Sequence, residues 1–255
     1  MSSREKRQLS APEVSVVIPV HNEKPILADV VMGLVYRLPE LTESFEIIIA
    51  ENGSTDGTLA EARKLASSYR WIKALHVDRP NYGRALRQGI SIARGRYCVC
   101  DEIDLCDMDF YRSSLGLLRK GRAEMVIGSK LAKGARDERP LLRRVATRVF
   151  SAMLRYGTGF RGTDTHGPKA FERKRLLPLV KRCKVEENLF ASELVIRAER
   201  EGVRIVELPL VLHEKRQPTI NLLDRVPRAL ANWARLVWIF QIEERMDASY
   251  RSKER

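Results

Sequence analysis

Aromatic residues are scarce in this sequence: Phe, Trp and Tyr make up 7% of its 255 residues. With no nucleic-acid-binding motif beside it, that scarcity argues against a stacking platform for RNA or single-stranded DNA. No run of about 20 apolar residues occurs, so no segment reads as a membrane span. Met1 to Gln8 is polar and charged and lacks the apolar stretch of a secretory signal. Cysteine is sparse as well. Cys98, Cys100, Cys106 and Cys183 follow no zinc spacing, and Cys98 and Cys100 alternate on a predicted buried strand as core thiols, a usage that fits a reducing cytoplasm. No internal repeat is present.

Positive charge is abundant, with 46 Lys and Arg against 33 Asp and Glu and a formal net charge of +13. Such an excess serves nucleic acid, an anionic membrane surface or phosphorylated substrates. With nucleic acid disfavoured, membrane and phosphate remain. A hydrophobic content of 44% is enough for a sizeable core in one large domain, with or without an extension.

Against this basic background, Val99-Cys100-Asp101-Glu102-Ile103-Asp104 stands out as an apolar strand ending in three carboxylates. It reads either as an acidic loop exposed to water or as a set of hard oxygen ligands. The second reading suits Mg²⁺ or Mn²⁺ shared with substrate phosphates.

Residues 1–12 read as a disordered basic tail. Ser15 to Val20 is a continuous β-branched run, the signature of a buried parallel strand. Strands are further predicted at Phe45–Ala50, Trp71–Val77, Tyr97–Cys100 and Ala123–Gly128. Helices are predicted at Ile26–Leu38, Leu59–Tyr69 (capped by Thr55 or Asp56), Gly83–Arg94, Asp109–Arg119 and Leu141–Tyr156. Strand–helix alternation of this kind argues for an α/β sheet with parallel strands. A Gly-, Thr- and Asp-rich loop spans Phe160 to His166, followed by Lys169-Ala170-Phe171, helices at Arg175–Lys181 and Leu189–Glu201, and short strands at Val203–Pro209 and Val211–His213. Leu222 to Ile242 interleaves Trp233, Trp238 and Phe240 with Arg225, Arg228 and Arg235. Such a helix either lies at a membrane interface or packs on its own domain or a second subunit. From Glu243 onward the tail is charged and is expected to fray.

Ligands of open parallel sheets bind at the carboxyl ends of strands. Three polar clusters fall at such ends: His21-Asn22-Glu23, Glu51-Asn52-Gly53-Ser54-Thr55-Asp56-Gly57 and the acid cluster. Each alone is explicable as turn chemistry; together they line one edge of the sheet.

In order and spacing these segments resemble the family 2 glycosyltransferases of GT-A fold, in particular the dolichol-phosphate mannose synthase-like, polyprenyl-phosphate sugar transferases. Val16 to Glu23 is similar to their opening strand and its Pro-x-x-Asn-Glu end, and Glu46 to Thr58 to their second strand and acidic turn. Asn81-Tyr82-Gly83-Arg84-Ala85, Gly128-Ser129-Lys130, Asp164-Thr165-His166, Lys169-Ala170-Phe171 and Phe190-Ala191-Ser192-Glu193-Leu194 resemble later signatures. The resemblance covers residues 13–216, which it makes the GT-A domain, and leaves 217–255 as an amphipathic helix and charged tail.

The resemblance implies a mixed, mostly parallel Rossmann-like sheet flanked by helices, a UDP- or GDP-sugar donor, and Mg²⁺ or Mn²⁺. It implies nucleotide contacts from Pro19, His21, Glu23, Ala50, Glu51, Asn52, Glu102 and Ile103. The family usually has two carboxylates where this chain has Glu51-Asn52, and an amide both donates and accepts, which leaves the base open. Register against Leu105 aligns the family's Asp-x-Asp with Glu102 and Asp104 as metal ligands, with Asp104 also catalytic and Asp101 structural. Lys130, Arg143 (also catalytic), Thr147 and Arg216, beside Lys215, fall where a polyprenyl-phosphate acceptor is expected. A phosphate acceptor needs no general base, because it is already ionised. A hydroxyl acceptor would draw on Asp164, His166 or Glu193, and an inactive scaffold is the remaining alternative. The expected setting is cytoplasmic, peripheral at the inner membrane face, on an anionic surface or a membrane-protein partner, with a homodimer through the C-terminal helix as a further possibility.

Overall fold

A computed structural model describes residues 11–212 and 222–253. Arg216 and Lys215 of the expected acceptor site, and residues 1–10 of the expected basic tail, lie outside them. One seven-stranded sheet organises the chain. Its strands are β1 (Val14–Val20), β2 (Phe45–Asn52), β3 (Ile72–Val77), β4 (Tyr97–Cys100), β5 (Met125–Ser129), β7 (Lys169–Glu172) and β8 (Ile205–Pro209), in the order β3-β2-β1-β4-β7-β5-β8. All neighbours run parallel except β7, which is antiparallel to both β4 and β5.

The continuous apolar strands are buried on both faces, as such runs require. Val17, Ile48 and Ala50 point into one apolar layer, and Val16, Ile18, Ile47 and Ile49 into the other. The second layer is closed by α1 (Lys24–Arg37), α2 (Thr58–Ser68) and α4 (Met108–Arg119). The first is closed by α3 (Tyr82–Ile92), α5 (Leu141–Thr158), α6 (Arg173–Arg182), α7 (Phe190–Arg200) and α8 (Leu222–Lys253). A short parallel pair, β6 (Arg136–Asp137) with β9 (Val211–Leu212), ties the basic loop after β5 to the chain following β8.

Most elements occur where the sequence predicts them; β6 is a strand it does not predict, and two further differences concern helices. The cap of α2 is Gly57, in the left-handed region at φ 91°, while Asp56 accepts the Thr58 N–H at 2.9 Å from outside the helix. The charged C-terminal stretch continues α8 to Lys253 instead of fraying after Ile242. The reason is long-range pairing: both oxygens of Glu243 bind the Arg197 guanidinium at 2.8 and 3.0 Å, and Lys184 approaches to 3.0 Å. The same Arg197 holds the fully buried Glu193. Trp233 donates to the Met153 carbonyl at 2.9 Å, and Leu236 and Phe240 are buried, so the middle of α8 packs on its own domain.

At the amino ends of the strands, buried Glu46 receives the Ser15 hydroxyl at 2.7 Å, the Arg94 N–H at 2.6 Å and the Lys73 ammonium at 2.7 Å. Burial alone raises this carboxyl; the Lys73, Ser15 and Arg94 contacts outweigh it and hold the group below its ordinary value. A depressed carboxyl contributes stability above its unfolded pKa and loses it as the pH falls through the folded value. Glu46→Gln is expected to cost about 2–3 kcal/mol near neutral pH in urea unfolding, and to flatten the loss of stability below about pH 4.

Candidate active site

The parallel strands β1, β2, β4 and β5 end at one edge of the sheet, and β7 begins there. Lys169, its first residue, pairs with Cys100 on one side and Ile127 on the other. This brings five segments to one rim: 21–23, 52–57, 101–104, 129–130 and 164–169.

The first two are laced together. Asn22, in the left-handed region at φ 56°, accepts the Thr55 N–H at 2.9 Å and donates its own N–H to Ser54 Oγ at 2.9 Å. Glu23 N–H meets Thr58 Oγ1 at 2.9 Å, and His21 Nδ1 donates to the Asn52 carbonyl at 2.8 Å. Glu51 is fully buried and bonded to the Ser54 N–H and to His76 Nδ1. Burial raises it, but Ser54 and His76 more than compensate and keep it below its ordinary value. Asn52 Oδ1 accepts the Asn81 N–H, so the amide turns its Nδ2 away from Asn81. Pro19, Ala50 and Ile103 have buried side chains.

The acid cluster divides by exposure. Asp101 is buried and accepts the N–H groups of Glu102 at 2.8 Å and Asp107 at 3.3 Å, which shapes the turn. Burial pushes its carboxyl up to about 8. Glu102 and Asp104, two residues apart, are both exposed and each acts on the other's charge. Among the described residues no three metal-ligating side chains converge. Two exposed carboxylates suit an ion that takes its remaining oxygens from a diphosphate and water. Asp104 also lines the mouth of a largely apolar cleft of about 440 Å³ between Ile26, Val30 and Leu34 of α1 and Leu105.

Basic groups from three elements act on the same cluster. Lys130, Lys169 and Arg139 all act electrostatically on Glu102. Lys130 gives its backbone N–H to Asp164 at 3.1 Å, with its ammonium 3.9 Å from the same carboxylate. Lys169 is 3% exposed and donates to the Gly167 carbonyl at 2.7 Å; burial lowers it to about 8 against the pull of Asp164 and Glu102. Arg139 forks onto Asp137 at 2.8 and 2.7 Å and reaches the Thr147 hydroxyl at 3.2 Å. Thr147 in turn donates to the Arg143 carbonyl at 2.9 Å. The structure therefore links Thr147 to Arg139 and to the Arg143 carbonyl on α5, and sets Lys130 beside Asp164 after β5. It adds Arg139 and Lys169, which sequence reasoning missed. Arg139 carried the signal of a basic loop, whereas Lys169 stood only within a segment resembling a later family signature.

The residues considered as bases for a hydroxyl acceptor are differently placed. Asp164 is buried and accepts the His166 N–H at 2.9 Å as well as that of Lys130. Glu193 is fully buried and spent on the N–H groups of Lys184 and Val185 and on Arg197. His166 packs edge-on against Phe150, with ring centroids 5.2 Å apart.

The sequence profile of the family described as Glycosyl transferase family 2 matches residues 15–177. The chain belongs to this family. Among curated proteins it is 30% identical over 244 residues to Glycosyltransferase AglD of Haloferax volcanii, covering 92% of this chain and 38% of that protein. It is 28% identical over 214 residues to the low-salt glycan biosynthesis hexosyltransferase Agl6 of the same organism, covering 80% and 49%. The family 2 chain thus spans less than half the length of these relatives. Among solved structures it resembles glucosyl-3-phosphoglycerate synthase from Mycobacterium tuberculosis in complex with uridine diphosphate, at 22% identity and TM-score 0.64 over 89% of this chain and 80% of that one. It also resembles a mannosyltransferase from Pyrobaculum calidifontis in complex with GDP-Man and Mn²⁺, at 19% identity and TM-score 0.51 over 81% and 59%. These likenesses establish the GT-A Rossmann-like fold. No helix of the described residues is long and apolar enough to cross a membrane.

Asp101→Ala removes the acceptors of two part-buried N–H groups. It is expected to cost at least about 2 kcal/mol of unfolding free energy, read by denaturant titration.

Proposed function

We propose that this chain transfers a sugar from a UDP- or GDP-sugar to a polyprenyl phosphate, with inversion at the anomeric carbon and with Mg²⁺ or Mn²⁺ bound at Glu102 and Asp104. The carrying observation is that both charges meet on one rim: the exposed Glu102 and Asp104 follow β4, while Lys169 opens β7 beside Cys100 and Lys130 follows the end of β5. A site of that kind suits two phosphorylated partners, one bridged through a cation and one held by basic side chains. Members of the fold have been solved with Mn²⁺ and UDP-glucose or GDP-Man, which supports the donor class and the metal.

In this reading the backbone at Pro19, Ala50 and Ile103, with His21, Glu23, Glu51 and Asn52, cradles the nucleoside. A bound divalent ion would neutralise the diphosphate and stabilise it as leaving group. Lys130, Arg143 and Thr147 orient the acceptor phosphate, Arg143 with a fork that a lysine lacks. An ionised phosphate oxygen attacks the anomeric carbon; the new carbon–oxygen bond forms as the bond to the nucleoside diphosphate breaks on the opposite face. No proton has to be removed from the nucleophile. That agrees with the burial of Asp164 and Glu193, which are committed to backbone N–H groups.

Asp104→Asn is expected to lower turnover at least about a hundredfold, the effect of losing several kcal/mol of charge stabilisation, with an unchanged melting temperature. Near-normal turnover would contradict the assignment. A cognate donor at about a hundred times its Kd with Mn²⁺ should add about 2.7 kcal/mol of stability, which a screen of UDP- and GDP-sugars by thermal shift detects. Radiolabelled sugar entering a butanol-soluble, mild-acid-labile product would support the acceptor; label found only in water-soluble material would refute it.

A further inference from the structure

Helix α5 carries an apolar stripe that nothing among the described residues covers. Leu141, Leu142, Val145, Val149, Ala152 and Tyr156 are all exposed, Leu141 at 68%, Leu142 at 59%, Val149 at 53% and Tyr156 at 94%. At 3.6 residues per turn these six fall within an arc of about 100°, the width of a face that ordinarily meets a core. Here the core lies on the other side: Ser151, Leu154 and Thr158 are the buried residues of this helix. Arg144, Arg148 and Arg155 lie along one edge of the stripe, within about 60° of it. Arg143 and Thr147 sit on roughly the opposite face, toward the site. The helix read from sequence as a membrane candidate is α8, and it spends Trp233, Leu236 and Phe240 on packing.

We propose that α5 lies in the interface of an anionic lipid bilayer, with its apolar stripe among the upper acyl segments and Arg144, Arg148 and Arg155 on lipid phosphates. The observation favouring lipid over a protein partner is charge complementarity: three arginines border the stripe on a chain of net charge +13. Basic amphipathic helices of this pattern sink about 5–10 Å into the boundary between headgroups and acyl chains. An α-helix is about 10 Å across, so the face bearing Arg143 and Thr147 then stands at headgroup level. This is the height at which a lipid-borne phosphate is presented, and here the inference rests on the acceptor reading above.

Sedimentation with phosphatidylcholine vesicles, with and without phosphatidylglycerol, tests the docking. The protein is expected to bind the mixed vesicles, and less so as salt rises. Val145→Asp/Val149→Asp, both at exposed positions, is expected to weaken that binding about tenfold or more with an unchanged melting temperature. Arg144→Gln/Arg148→Gln is expected to abolish the preference for phosphatidylglycerol. The proposal is overturned if the protein binds neither vesicle or both alike, if the valine variant binds as the wild type does, or if the wild type is a dimer that this variant dissociates. Transfer to a short, water-soluble isoprenyl phosphate separates the two readings. It is expected to be unchanged in Val145→Asp/Val149→Asp, and its absence in the wild type would remove the acceptor reading without touching the vesicle result.

Discussion

The arrangement depends on one strand running backwards. β7 enters the sheet between β4 and β5 and is antiparallel to both, so its first residue arrives where its neighbours end. That residue is Lys169. A buried ammonium is costly in free energy unless it is bonded and faces opposite charge; here it has the Gly167 carbonyl, Asp164 and Glu102. The close approach is steric as well. A Cβ on Gly167 would fall 1.7 Å from the Gly128 carbonyl oxygen, so only glycine lets the loop enter β7 against β5.

The division of labour among the carboxylates follows from this rim. Asp101 points inward and is consumed by backbone N–H groups. Glu102 and Asp104 point outward, where like charges close together favour a cation between them. The positive groups stand on separate scaffolds: Lys130 at the end of β5, Lys169 on β7, and Arg139 on the loop clasped by β6 and β9. Each is fixed by different contacts: Lys130 by Asp164, Lys169 by the Gly167 carbonyl and Arg139 by the fork onto Asp137.

Much of the fold was legible because β1 and β2 are uninterrupted β-branched runs and their helices carry apolar residues at helical spacing. Strand alternation does not account for the acid cluster: residues 103–105 turn, with the Leu105 N–H on the Glu102 carbonyl at 3.0 Å, so the exposure of Glu102 and Asp104 follows from the turn and not from extended chain. The rest depends on contacts far apart in sequence. Glu243 reads as part of a solvated tail until Arg197, 46 residues away, is seen to hold it. Lys169 reads only as part of a segment resembling a later family signature until the register of β7 places it beside Cys100. Periodicity identifies α5 as a helix with an apolar side but does not say whether that side meets the core, and in this chain it faces outward.

The central claim is that the two exposed carboxylates hold a divalent ion jointly with a nucleoside diphosphate. Electron paramagnetic resonance of free Mn²⁺ measures this directly. The account predicts that the protein withdraws Mn²⁺ from solution when UDP or GDP is present, that it does so far less without the nucleotide, and that Asp104→Asn removes the uptake. Mn²⁺ bound equally with and without nucleotide, or uptake unchanged in Asp104→Asn, would contradict it.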